Sequence, residues 1–329
     1  MQGERRAIRH RKLGSSELWV SEIGFGTWQS VTRQDQRGAT ALVRAALDLG
    51  INVIDTADSY GDAQQALRVA LHGVERDRYL ISTKVFFDPT GNGTGSLSRE
   101  RVLASATASL RELGVQELDL LSAHRFDSST PVAETVATFG ELIAAGTVRY
   151  YGVSEWTAAQ IAEACRVADD LSVPRPVANQ PQYNALWRVP EALVMPACQR
   201  LGLGSIVFWP LAQGILTGKY VRGAHRPDGS RAATDLGRRS MSHLMLDPVL
   251  DRIQLFAVIA ARRGMTPAQL AIAWTLQNPR VSSALVGASQ VSQLVENVAA
   301  VEVRVSDKTL ALIDKVLTGC VIDDVDATG

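Results

Sequence analysis

A chain of 329 residues exceeds the usual size of one domain, but α/β barrels routinely reach this length as a single unit. Hydrophobic residues make up 46% of it, enough for a large core, and 34 basic side chains balance 34 acidic ones. Zero net charge excludes a global field that would draw nucleic acid or an anionic membrane surface.

The basic start, residues 1–14, lacks the apolar core of a secretory leader. Residues 18–26 (LWVSEIGFG) read as one strand ending in a Gly-rich turn, and 40–50 as a helix closed by Gly50. A short apolar strand at 51–57 precedes a helix at 63–73 and a strand at 78–85 that ends near Lys84. A Gly/Ser-rich loop leads to a long helix at 98–114. Strands at 118–125 and 148–156 alternate with helices at 131–146 and 157–171. A strand end at 176–184, a helix at 189–202 and a strand at 205–212 follow. The last repeat is a helix at 267–278, a strand at 282–289 and a helix at 291–300.

Apolar strands between amphipathic helices imply a parallel sheet covered on its outer face. Eight such units in about 300 residues fit a (β/α)8 TIM barrel. An open doubly wound sheet would call for an early GxGxxG before a helix, and the chain has none. Residues 1–329 are therefore read as one barrel domain. Outside the repeat lie an N-terminal segment, expected as a hairpin over the barrel's bottom, and two extra helices at 246–264 and 306–317. Residues 218–245 read as a long irregular loop, and loops of that length tend to be functional. Cys165, Cys198 and Cys320 are far apart and form no CxxC pair, which points to a reducing, cytoplasmic setting and no metal site. No apolar run reaches the roughly 18 residues of a membrane helix.

The stretch 285–297 (LVGASQVSQLVEN) looks like a strand that breaks at Gly287 and opens a helix at Ser289 or Gln290. A glycine admits close backbone approach, and a helix N-terminus favours an anion. Helical spacing puts Ser289, Gln293, Glu296 and Asn297 on one side, enough to hold a phosphate and the edge of an adenine. Read by itself the stretch is an ordinary capped helix; the rest of the chain tips the balance.

In such barrels the site lies at the C-terminal ends of the strands. Thr27, Trp28, Asp55, Tyr60, Lys84, His124, Ser154, Glu155, Asn179, Gln180, Trp209 and Gly287 fall there. A phenol is a poor acid at neutral pH, but a neighbouring ammonium lowers its pKa. Lys84 is that ammonium, Asp55 keeps it charged, and His124 bonds a substrate oxygen or relays a proton. Tyr60 becomes a general acid. Each of the four has a plainer reading as packing, turn or rim residue. Four complementary groups on three successive strands and one loop are harder to set aside.

With the motifs GFGTW (24–28), DTADSYG (55–61), STK (82–84), LLSAHR (120–125), GVSEW (152–156), NQPQYN (179–184), WPLAQGILTGKY (209–220) and GASQVSQLVEN (287–297), the chain resembles the aldo-keto reductases over residues 11–318. The last two motifs resemble the branch of potassium-channel beta subunits and their bacterial relatives. The resemblance implies a barrel that binds NADPH across its top and reduces a small-molecule carbonyl, with a tetrad of Asp55, Tyr60, Lys84 and His124. It implies Trp209 against the nicotinamide, and Ser154 and Gln180 on the carboxamide. It implies Gln213, Gly214, Leu216 and Lys219 around the pyrophosphate, Ser289 and Gln293 on the 2′-phosphate, and Glu296 and Asn297 on the adenine. Thr27, Trp28, Leu211 and Gly287 complete the expected cofactor set. Two positions depart from the pattern. Glu155 stands where Asn is common and cannot donate to the carboxamide oxygen. Gln293 stands where many members carry Arg, which weakens the expected preference for NADPH over NADH.

The stretch 222–243 holds Arg222, Arg226, Arg231, Arg238, Arg239, His225 and His243 against Asp228 and Asp235. It reads as a solvated basic loop, or as a clamp on the pyrophosphate or an anionic substrate. Trp28, Phe86, Phe87, Trp156 and Trp187 are expected as an apolar wall of the substrate pocket. A regulatory NADPH-binding subunit, a reductase of a deoxysugar or polyketide intermediate, and a barrel without redox activity stay open beside the enzyme reading. So does a homo-oligomer. The lack of a long N-terminal inactivation segment speaks mildly against the regulatory subunit.

Overall fold

Eight parallel strands close on themselves, and nearly all of their residues are buried. The computed structural model describes residues 8–88 and 95–327, without the Leu236 side chain. The expected basic segment at 1–7 and the middle of the Gly/Ser-rich loop, 89–94, lie outside the described residues. A hairpin of β1 (His10–Lys12) and β2 (Trp19–Ser21) comes first, and β3 (Ile23–Gly26) begins the barrel. Next come α1 (Gln36–Asp48), β4 (Val53–Asp55), α2 (Ala63–Leu71), β5 (Leu80–Val85), α3 (Arg99–Leu113) and β6 (Leu118–Ala123). The chain continues through α4 (Val132–Ala144), β7 (Val148–Ser154), α5 (Ala158–Asp170), β8 (Ala178–Gln180), α6 (Val194–Leu201) and β9 (Gly204–Phe208). Helices α7 (Asp235–Ser240), α8 (Asp247–Ala261) and α9 (Pro267–Leu276) precede β10 (Val281–Val286), α10 (Val291–Val298) and α11 (Asp307–Leu317). Strands β3 to β10 pair in chain order, and β10 returns to β3. This is the expected (β/α)8 barrel, with α8 and α11 as the two extra helices.

The hairpin covers the barrel's lower end. Leu13, Leu18 and Val20 meet Val53, Leu120, Ile206 and Leu285 in a cluster of their own. Its turn sits so close that a Cβ at Gly14 would lie 2.5 Å from the carbonyl oxygens of Val177 and Gly202. Glu22 explains why residues 18–26 are two strands and not the single one expected. It is 2% exposed and takes ion pairs from Arg9 at 3.0 Å and Arg11 at 2.6 Å, at the corner between hairpin and barrel.

Local chemistry sets the helix ends. Ser98 caps α3 and Gly114 ends it in the left-handed conformation. Thr157 and Thr266 each form a capping box, on α5 and α9. Several boundaries differ from the sequence reading. Helix α1 begins four residues before residue 40, because Asp35 accepts from the Gly38 N–H. The helix read at 189–202 is a 3-10 turn (Val189–Glu191) followed by α6. The stretch 218–245 is not wholly irregular: it contains a 3-10 turn (Arg231–Ala233) and α7, capped by Thr234. No helix among the described residues is long and apolar enough to cross a membrane.

Candidate active site

The upper ends of β4 and β5 place a carboxylate beside an ammonium. Lys84 Nζ donates to Asp55 Oδ2 at 2.6 Å and to the Thr56 carbonyl at 2.8 Å. Asp55 Oδ1 accepts from Ser82 Oγ at 3.0 Å and from the Gln180 amide at 2.9 Å. Both side chains are buried, so the pair is held by its own hydrogen bonds and not by water. Burial is the largest single influence and works against the Lys84 charge, but Asp55 and Tyr60 together outweigh it and the pKa is raised above 10.5.

The turn after β4 brings Tyr60 over this pair. The Lys84 ammonium lies 5.1 Å from the centre of the Tyr60 ring. Burial raises the phenol above its ordinary 10.0, and Lys84 offsets only part of the rise. Lys84 thus lowers the phenol's pKa as expected, but desolvation is the larger effect, the net shift is upward, and the phenol is protonated at neutral pH. His124, just past β6, meets Tyr60 edge-on with ring centres 5.8 Å apart. Its pKa falls well below 6.5, through burial first and then through Lys84 and Arg125. The imidazole is neutral, and its buried Nδ1 has no partner among the described residues.

Asp55, Tyr60 and His124 open onto one cavity of about 180 Å³, which Trp28, Ser154, Gln180, Trp209 and Gly287 also line. A second, elongated cavity of about 300 Å³ shares Trp209, Arg231 and Gly287 with it. Leu211, Gln213, Gly214 and Lys219 line one part of this groove, and Ser289, Gln293, Glu296 and Asn297 another. Six non-glycine residues among those described have positive φ, and four of them (Gln29, Glu155, Trp209 and Gln213) line the two cavities. Such backbone costs about 1–3 kcal/mol per residue and gathers at functional sites.

Residues 22–318 match the sequence model of the aldo/keto reductase family. The chain belongs to that family. It is 40% identical over 326 residues to a putative voltage-gated potassium channel subunit beta of Schizosaccharomyces pombe, covering 94% of this chain and 93% of the relative. A probable channel beta subunit of Arabidopsis thaliana is 38% identical over 302 residues, covering 90% and 92%. One of rice (Oryza sativa subsp. japonica) is 37% identical over 302 residues, with the same coverage. Aldo/keto reductases are oxidoreductases of small-molecule carbonyls and generally use NAD(P)H.

Two residues of the expected cofactor set of this aldo/keto reductase stay off the cavity walls. Leu216 is fully buried in the core, and Thr27 is fully buried with its hydroxyl unpartnered. Gly287 lines the groove, and a Cβ there would lie 2.5 Å from Ser30 Oγ, so a larger residue would have to turn that hydroxyl away. Helix α10 opens at Val291, one residue past the expected start at Gln290, and Gln290 makes no side-chain cap. Instead Gln293 Oε1 accepts from the Ser289 N–H at 2.9 Å and its hydroxyl at 3.2 Å.

Of the five loop arginines, Arg231 lines both cavities. It lies 4.8 Å over the Trp28 ring and forms no ion pair among the described residues. Burial lowers its pKa to about 10, and Arg33 adds to the fall. Arg222 pairs with Asp247 and Asp251, and Arg238 with Asp235.

The expected apolar wall is mostly elsewhere. Trp156 is buried against Phe126, Phe86 packs on the core, and Trp187 faces His243. Phe87 sits 4.9 Å from the His124 ring, and Phe208 joins Trp28 on the cavity wall. Gln29, Ser30, Arg33, Gly229 and Ser230, outside the expected cofactor set, also line the groove, from two segments distant in sequence. Only the tertiary fold joins them.

Proposed function

We propose that this protein reduces aldehydes or ketones to alcohols with NADPH, Tyr60 giving the proton. The observation that carries the reading is the buried Asp55–Lys84 pair beneath a protonated phenol that shares a cavity with a neutral imidazole. Lys84 stabilises the phenolate left when Tyr60 gives up its proton, and Asp55 holds Lys84 charged and aimed. Tyr60 and His124 both present hydrogen-bond donors to an oxygen that gains negative charge, which is where donors lower a barrier most.

The groove fits a dinucleotide phosphate. The Gln29 amide and Ser230 hydroxyl are buried without partners, and the Arg231 cation is unpaired among the described residues. NADPH held there would supply the hydride. Trp209 would pack on its nicotinamide, while Ser154 and Gln180 would hold the carboxamide. Gln180 donates one amide N–H to Asp55, which leaves its second N–H and its carbonyl for the carboxamide. Gln213, Gly214, Lys219 and Arg231 would hold the pyrophosphate, with backbone at Leu216. Ser289 and Gln293 would take the 2′-phosphate, and Glu296 and Asn297 the adenine. Thr27, Trp28, Leu211 and Gly287 would complete the seat. Gln293 is neutral, so it lacks the charge-assisted bond an arginine would make.

Carbonyl compounds assayed with NADPH and with NADH test this. Turnover of at least some aldehydes, with NADPH favoured by a modest factor, is expected; no turnover with either cofactor would end the proposal.

The pH dependence follows from His124. Its folded pKa lies well below 6.5, so it is neutral at and above that pH and becomes charged only far below it. The acid side of kcat/KM is expected to show no break near pH 6.5 and to fall only at lower pH. A break near 6.5 would mean that the ring that matters to turnover is solvated, against the burial seen here.

The names of the relatives favour a second reading, an NADPH-binding subunit of a potassium-channel partner. The two readings are compatible, and turnover by the isolated protein measures the first directly.

A further inference from the structure

We infer that Arg101 and Asp58 form a positioning pair that holds the Tyr60 phenol and the His124 ring in register across the cavity. The inference rests on the reading of Tyr60 as proton donor. Arg101 lies in the first turn of α3, at the barrel's upper rim. Its Nη2 donates to Asp58 Oδ2 at 2.7 Å and also to the Phe87 carbonyl. Asp58 is two residues before Tyr60, in the turn that carries the phenol. Phe87 is three residues after Lys84, and its ring lies 4.9 Å from that of His124. One guanidinium thus ties the loop that bears the phenol to the loop that seats the imidazole.

The tie is built and not incidental. Ser105, one helical turn beyond Arg101 and so on the same face, donates to the same Asp58 oxygen at 2.7 Å. The Asp58 backbone N–H bonds the Lys84 carbonyl at 3.3 Å, which joins the turn to the end of β5. The Asp58 side chain is 7% exposed and that of Arg101 23%, so water substitutes poorly for either partner. Arg101 touches neither cavity and contacts no tetrad side chain. Its influence on turnover passes through loop geometry, to which proton transfer is sensitive: about 1 Å of displacement can cost on the order of 100-fold.

Arg101→Met, Asp58→Asn and the double variant test the pair. Asp58→Asn keeps the side-chain volume and remains informative if Arg101→Met fails to fold. Each single change is expected to lower kcat about 10-fold or more, with the dissociation constant for NADPH, read by fluorescence titration, within about twofold of the parent. The double variant is expected to be no slower than the slower single one, because both changes release the same tie. A second readout needs no turnover. Alkaline absorbance titration of the protein without cofactor, with Tyr60→Phe as the difference reference, is expected to show Tyr60 ionising at lower pH once Arg101 is replaced, as water reaches the phenol. A loss of melting temperature with kcat unchanged would make the pair a structural staple and overturn the inference. Independent, multiplying effects on kcat, or an unmoved Tyr60 titration, would overturn it as well. If the unsubstituted protein turns over no carbonyl, the proposed function fails, and the Tyr60 titration still decides whether the pair positions the phenol.

Discussion

Tyr60→Phe is expected to lower kcat for aldehyde reduction by roughly 10²–10⁴, the usual worth of a general acid, while NADPH binds with unchanged affinity. The substitution removes one oxygen and keeps the ring that faces His124 edge-on at 5.8 Å, so packing is preserved. Steady-state kinetics paired with a fluorescence titration of NADPH separates the two effects. Retained carbonyl reduction in the variant would show that the proton comes from elsewhere, with His124 the obvious candidate.

Lys84→Met is the change with the largest combined cost. Lys84 is fully buried and donates to both Asp55 and the Thr56 carbonyl. Methionine fills a similar volume but leaves the Asp55 carboxylate buried with only the Ser82 and Gln180 donors. Breaking a buried pair in this way costs about 3–5 kcal/mol of stability. Activity is expected to fall with Tyr60→Phe, since no ammonium remains to stabilise a phenolate. Denaturant unfolding and kinetics on the same samples check both parts. The sign with pH is definite. Because the folded pKa of Lys84 is raised above 10.5, its contribution is complete below that pH and is lost only as pH climbs through the raised value. The stability gap between parent and variant is therefore expected to stay constant between pH 7 and 9. A gap below 1 kcal/mol would mean that the buried pair carries little of the fold.

The barrel is legible in the sequence because its strands are buried on both faces and read as apolar runs, and because Gly50 and Gly114 mark helix ends. The break at Glu22 is not legible locally. It depends on two arginines that reach back from the hairpin and from the segment before it. The tetrad could be placed from Asp55, Lys84 and His124, each at or just beyond a strand end. The influence of Lys84 on Tyr60 is legible because sequence names the neighbouring charge, but the opposing desolvation is not, because sequence says nothing of depth. In the folded chain desolvation is the larger influence. The groove shows the same limit. A motif match at Leu216 or Thr27 records a backbone path, whereas the side chains themselves are buried. Gln29, Arg33 and Ser230 carry no local signal, since they meet only when the loop before α7 folds back over the barrel top. Arg231 differs from its neighbours for the same reason. Five arginines in one loop look alike until the fold pairs Arg222 and Arg238 with carboxylates and leaves Arg231 at the junction of the two cavities.

The central claim is that a phenol held over a buried ammonium delivers a proton while a hydride reaches the same carbonyl. Single-turnover mixing of the NADPH-loaded protein with an aldehyde tests it most directly, with NADPH carrying deuterium at the transferring position. The account predicts loss of reduced-nicotinamide absorbance in one enzyme equivalent, deuterium on the carbinol carbon of the product, and both events slowed by roughly 10²–10⁴ in Tyr60→Phe. Stable absorbance in the parent protein, or equal rates in parent and variant, would contradict it.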